Sequence, residues 1–187
     1  MRTPIKLLFL AALLPTPALC VRADLIMVTE GVDFSNAGPL GPGTPVGTLD
    51  IGVNTISGSL FEIDDDTVAF DLPAGLQIDS IDLHVSNHVD SNLFPTGVSG
   101  VFVLPGGSVS SATQGGDGTT DIFTGPLIGP ATSLILLAEH AGGIPGASSD
   151  WRFDISVSAV PEPSAILSCG LVGMLTCAGY RMKRRIV

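Results

Sequence analysis

Between Asp24 and Val160 the chain contains no lysine, no cysteine and a single arginine, Arg152. Seventeen acidic residues stand against that arginine, a formal charge of −16 over 137 residues. Such a surface repels phosphate backbones, and DNA binding rests on Lys and Arg contacts, so nucleic acid is excluded as a partner. The three cysteines, Cys20, Cys169 and Cys177, all fall outside this stretch, which therefore folds without disulfides. Aromatic residues are few, with one Trp and one Tyr, and Tyr180 also lies outside. That scarcity argues against a stacking platform for sugar rings. No Gly-x-Ser-x-Gly elbow, no HExxH and no P-loop occurs.

What is present points to one folded unit with two special ends. Of 187 residues, 45% are hydrophobic and 14% charged, which is the balance of a folded chain rather than a disordered one. Mean hydropathy is +0.50 in a chain of pI about 4.3, so apolar character is concentrated in segments. Arg2 and Lys6 precede Leu7–Leu14 (LLFLAALL), an apolar run of signal-peptide length. Eight apolar residues are too few to span a bilayer, and Pro15 and Pro17 follow them. Val21 and Ala23 sit three and one residues before Asp24, which favours signal-peptidase cleavage between Ala23 and Asp24 over the weaker option after Cys20, with Ala18 at −3. Residues 1–23 are read as a signal peptide. Leu19 before Cys20 argues against lipidation.

At the other end, Pro161-Glu162-Pro163 precedes an uncharged stretch, Ala165–Tyr180. Arg181, Lys183, Arg184 and Arg185 stop it. Sixteen helical residues reach about 24 Å, close to the hydrocarbon core once basic side chains snorkel. The basic cluster belongs on the cytoplasmic side. The expectation is one C-terminal transmembrane helix, 165–180. Pro-Glu-Pro, a short helix rich in Gly and small residues, and a terminal basic cluster together resemble the PEP-CTERM sorting signal of bacterial exported proteins, over residues 160–187. The resemblance implies recognition and cleavage by an exosortase. It also implies an inner-membrane intermediate, then the cell surface or extracellular matrix of a bacterium that makes exopolysaccharide.

The exported part divides into residues 24–48, a strand (LIMVTEGVDF) with a Gly/Pro-rich linker, and residues 49–159. Seven of the ten residues from Gly38 to Gly47 are Gly or Pro, a turn or linker composition. Beyond Asp50, short alternating runs recur between turn signals with no helical period. Strands are predicted at 55–63, 67–72, 77–86, 97–104, 133–138 and 151–158. Ile81, Leu83 and Val85 share one face, with Asp82 and His84 on the other. Trp151, Phe153, Ile155 and Val157 point inward, with Arg152, Asp154, Ser156 and Ser158 outward. The fold class is all-β, a single jelly-roll-like β-sandwich. Gly52–Leu60, Asp64–Gly75 and Ile78–Ile81 carry a Gly…Asp-x-Asp…Phe-x-apolar-Pro-Ala-Gly cadence. It resembles the bacterial pre-peptidase C-terminal (PPC-like) β-sandwich, which implies an accessory or binding module without catalytic residues.

Among candidate sites, Asp64, Asp65, Asp66 and Asp71 could group oxygens around calcium, the one cofactor considered. The EF-hand spacing is absent, so a solvated turn at Asp64–Asp66 is the preferred reading. Gly115–Asp121 reads as a flexible loop. His84 and His88 are about 13 Å apart along a strand, too far for one ion with Asp82 or Asp90 unless the chain turns at Ser86-Asn87, and are read as exposed. His140 stands beside Glu139 with no catalytic companion in sequence. The function expected is a non-enzymatic exported protein, structural or adhesive in an exopolysaccharide layer, with cations as further partners. The alternatives are a calcium-dependent carbohydrate- or ligand-binding module and a small secreted hydrolase, since a triad is assembled in space.

Overall fold

The computed structural model describes residues 25–31, 33–36, 38, 41–62, 64–90, 95–141 and 146–161. The expected signal peptide with its Ala23–Asp24 cleavage site, Glu162 and Pro163, the C-terminal helix and the basic residues Arg181, Lys183, Arg184 and Arg185 lie outside these residues.

Ten strands form in chain order: β1 (Met27–Thr29), β2 (Thr44–Thr48), β3 (Gly52–Phe61), β4 (Asp65–Leu72), β5 (Leu76–Val89), β6 (Val98–Val103), β7 (Val109–Gln114), β8 (Gly118–Ile128), β9 (Ala131–His140) and β10 (Ser148–Ala159). They make two five-stranded sheets, β1-β3-β10-β5-β8 and β2-β4-β9-β6-β7. From β3 to β10 the order within each sheet is that of a jelly roll, and β1 and β2 add one parallel edge strand to each sheet.

Alternation explains why the sheets face each other. Ile81, Leu83 and Val85 of β5 and Trp151, Phe153, Ile155 and Val157 of β10 are buried. They pack on Val68, Phe70 and Leu72 of β4, Phe102 of β6 and Leu134 and Leu136 of β9. Phe70 stacks on Phe102 at 6.4 Å, Phe102 meets Phe123 edge-on at 5.3 Å, and Trp151 lies 5.0 Å from Phe153. Burying one such ring contributes about 1.5–3 kcal/mol, so this aromatic line is the centre of the core.

Three sequence expectations are corrected. The Gly/Pro-rich stretch 38–47 holds β2, because Pro45 sits on a sheet edge where a missing N–H costs no ladder bond. Phe34 and Ile26, outside the expected 49–159 unit, belong to the core. The Gly115–Asp121 loop shrinks to Gly115–Asp117, since Gly118 already opens β8.

Candidate functional site

Two polar assemblies and one open groove stand out from this frame. The first grows from β4. The expected turn at Asp64–Asp66 is not a turn: β4 begins at Asp65, and Asp66, Val68, Phe70 and Leu72 all face inward. Asp66 is therefore a carboxylate in the core, with 0% of its surface exposed. Its Oδ2 accepts a 2.7 Å hydrogen bond from Trp151 Nε1, while Oδ1 has no partner among the described residues.

Two carboxylates from the segment after β1 converge on it. Oxygens of Glu30, Asp33 and Asp66 all lie within 4.8 Å of one another. Glu30 is fixed by the Phe34 N–H on Oε1 at 3.0 Å and the Ser59 N–H on Oε2 at 2.8 Å. Gly58 makes room: a Cβ there would stand 2.7 Å from both Glu30 Oε2 and the Trp151 ring. Burial pushes the Asp66 carboxyl up to about 7; the Trp151 bond opposes this, and Glu30, Asp64 and Asp33 add to it. Asp64 is also raised, by burial and then by Asp33.

Of the four calcium candidates, only Asp66 belongs to this group; Asp64 is a charged neighbour of it, and the other two lie elsewhere. Asp65 sits opposite Glu139 of β9, whose carboxyl is raised by burial and by Asp65. Asp71 accepts the Ser133 N–H at 2.8 Å, five residues and roughly 17 Å further along β4. Sequence reasoning missed Glu30 and Asp33. The inward period Asp66-x-Val68-x-Phe70-x-Leu72 was the available signal that Asp66 is no turn residue.

The second assembly lies at one end of the sandwich. Asn87, at φ 52°, bulges β5 so that Asn87 and His88 together oppose Ser149. The bulge sends His84 and His88 to opposite faces. His88, expected in solvent, keeps only 6% of its side chain exposed. Its Nδ1 lies 2.8 Å from Ser149 Oγ and its Nε2 3.1 Å from Asp90 Oδ1. His140, also buried, places Nε2 3.1 Å from the same Ser149 Oγ and Nδ1 2.8 Å from the Glu62 carbonyl. Asp90 is held below the usual carboxylate range by the Thr96 N–H and then by His88. A hydroxyl has one proton, so every bond in this chain is made only when one of the two rings carries a second proton. Asp90-His88-Ser149 has the connectivity of a catalytic triad, yet Ser149 is 3% exposed and its hydroxyl is shared between two imidazoles. It ties β5, β9 and β10 together.

The groove, about 600 Å³, runs over the outer face of the first sheet. Thr29, Ser57, Ser59, Ser86 and Thr119 contribute hydroxyls, with Asp150, His84 and Arg152 between them. Asp154, beside it, accepts from Thr55 Oγ1 at 3.1 Å and Arg152 at 3.0 Å, and pairs with His84 Nε2 at 2.9 Å. Registers align Asp154, Asp82 and Asp121 across β10, β5 and β8. Burial raises the Asp82 carboxyl first, and Asp121 and Asp154 raise it further while His84 opposes. Trp151 lies beneath the groove with 2% exposure, so no ring is offered for stacking.

No protein-family model matches the chain, and no curated protein does. Two solved structures overlap with it. One is PliG of Aeromonas hydrophila, a periplasmic lysozyme inhibitor of g-type lysozyme, 17% identical, with TM-score 0.36 over 62% of this chain and 96% of that one. The other is Salmonella Typhimurium PliG, 16% identical, with TM-score 0.33 over 62% of this chain and 99% of that one. Overlap at this level assigns this chain neither a function nor a partner.

Proposed function

We propose that this chain is a non-enzymatic exported protein, sorted by an exosortase at Pro161-Glu162-Pro163. It leaves an inner-membrane intermediate for the cell surface or extracellular matrix. There its acidic sandwich serves a structural or adhesive role in an exopolysaccharide layer.

The observation that carries this reading is how the last strand stands relative to the motif. β10 lies between β3 and β5, so its loss would open the first sheet. It ends at Ala159, the Val160 N–H then donates to the Gly75 carbonyl at 2.8 Å, and Pro161 is already exposed. A cut beyond Pro161 leaves every strand and core residue among the described residues in place. A sorting motif works only if processing leaves the cargo folded, and this spacing meets that need. The hydroxyl-lined outer face suits contact with a hydrated polymer through hydrogen bonds and shared cations.

The test is intact mass and fractionation of the native protein, wild type beside the triple substitution Pro161→Ala, Glu162→Ala, Pro163→Ala. A mature species outside the cell, starting near Asp24 and ending near Pro163, with the variant retained in the membrane, is the expected result. A wild type that keeps its C-terminus through Val187, unaltered by the substitution, overturns the sorting reading.

A further inference from the structure

We propose that Glu30, Asp33 and Asp66 form a calcium site that clamps the segment after β1 onto β4. This inference is independent of how the chain is sorted. Three features carry it.

The first is the orphaned oxygen. Asp66 is fully buried, and its Oδ1, on the carboxylate that meets Glu30 and Asp33, has no hydrogen-bond partner among the described residues. A buried acceptor left unpaired costs about 1–3 kcal/mol, and more when charged. Native folds rarely leave such a group unless an ion or water serves it. The second is that three carboxylates from two chain segments converge within 4.8 Å with no basic side chain among them. Arg152, the only Lys or Arg between Asp24 and Val160, is engaged with Asp154 on the outer face. Their mutual repulsion is uncompensated by any cation among the described residues, as the raised Asp66 and Asp64 carboxyls also indicate. The third is that two of the three are held in place. Glu30 is pinned by two backbone N–H groups and Asp66 by the indole, so the donors need little reorganisation to bind.

The donor chemistry selects the ion. All donors are carboxylate oxygens, which suit hard cations and not zinc or copper, for which imidazole and thiolate compete best. Calcium accepts six to eight ligands in irregular geometry and fills the remainder with water, and magnesium demands a near-ideal octahedron. Asp33 is exposed, which leaves an open side for those waters and a route for the ion.

The experiment uses the full chain, stripped with EDTA and titrated with CaCl2, with MgCl2 in parallel, and read by thermal unfolding. At a hundredfold excess over Kd, calcium is expected to raise Tm by about 5–15 °C, since an ion bound only to the native state stabilises it. Terbium offers a second readout. Trp151 is the chain's only tryptophan and touches Asp66, so excitation of the indole should sensitise Tb3+ emission.

Asp33→Asn removes an exposed donor without touching the core and should weaken calcium binding at least tenfold. Asp66→Asn keeps an acceptor for Trp151 and should abolish the calcium shift while leaving the metal-free protein folded. Asp82→Asn, in the separate acidic row on the outer face, should leave the calcium response unchanged. A calcium shift lost in Asp82→Asn and kept in Asp33→Asn overturns the proposal by moving the ion to the outer face. Absence of both a Tm shift and sensitised emission in the wild type overturns it outright, as does an equal response to magnesium.

Discussion

Trp151 Nε1 donates to Asp66 Oδ2 at 2.7 Å across the interior, from β10 of one sheet to β4 of the other. Among the described residues it is the one hydrogen bond to a carboxylate with no exposed surface. In the metal-free protein, Trp151→Phe leaves both Asp66 oxygens unpaired and should cost about 1.5–3 kcal/mol from that bond alone. Urea unfolding in EDTA checks this, within a double-mutant cycle against Asp66→Leu. A coupling energy near zero would mean that the indole serves only as packing.

Ser149 is predicted to be a fastener. Ser149→Ala takes the hydroxyl from two buried imidazoles and should destabilise the fold by about 1–3 kcal/mol. A fluorophosphonate probe should leave the native protein unlabelled, because the hydroxyl is buried and shared between His88 and His140. Labelling at Ser149 that disappears in His88→Ala would instead establish a hydrolase and end the non-enzymatic reading.

The acidic row across β10, β5 and β8 sets a pH dependence. The Asp82 carboxyl is raised above its ordinary 3.8 by burial and then by Asp121. The folded protein therefore holds that proton when the unfolded chain has already released it. Stability contributed at low pH declines as pH rises above about 4, and the decline ends once the raised value is passed. Asp90 has the opposite sign, with its contribution lost only as pH falls below the ordinary carboxylate range. In EDTA, Tm should thus fall between about pH 4.5 and pH 7, and Asp82→Asn should flatten part of that slope and raise Tm at the upper end. An unchanged slope would show that the Asp82 carboxyl is not raised in the folded protein. Asp66 and Glu139, raised as well, keep the remainder of the slope.

How legible this molecule is in its sequence depends on what each strand packs against. β10 and most of β5 read correctly because one face meets the other sheet and the opposite face meets water, which enforces a period of two. The inward and outward sets of Trp151–Ser158 follow the expected alternation. β7 and β8 carry few apolar residues on either face, so their sequences resemble loops although β7 pairs with β6 along its length and β8 with β5 across two bulges. β2 is disguised by Pro45 and Gly47, which an edge position tolerates. The carboxylate group was half legible: three consecutive aspartates look like a turn, and only the inward period Asp66-x-Val68-x-Phe70-x-Leu72 signals that Asp66 enters the core. Glu30 and Asp33 join it through the parallel pairing of β1 with β3, a contact between segments about 28 residues apart, and through the Ser35–Thr67 bridge to β4. His88 and Ser149 meet because of a bulge at Asn87, and a one-residue slip in register is invisible to periodicity.

Gly58 is where the core and the carboxylate group compete for space. An added Cβ would lie 2.7 Å from Glu30 Oε2 and 2.7 Å from the Trp151 ring, inside any normal contact. The indole is held by Asp66 and packed on Phe34 and Phe153, so it has little freedom to yield. The Glu30 carboxylate is the flexible partner, and moving it breaks the Ser59 N–H bond. Gly58→Ala should therefore destabilise the protein by about 1–3 kcal/mol and shrink the calcium-induced rise in Tm, because the displaced oxygen is one of the three donors. Both losses should be smaller in a Glu30→Ala background than in the wild type, since that truncation already removes the carboxylate that the methyl group displaces. Unfolding curves for the four proteins, each with EDTA and with CaCl2, measure the coupling. Strict additivity would mean that β3 shifts as a whole to admit the methyl group, and that Glu30 keeps its place.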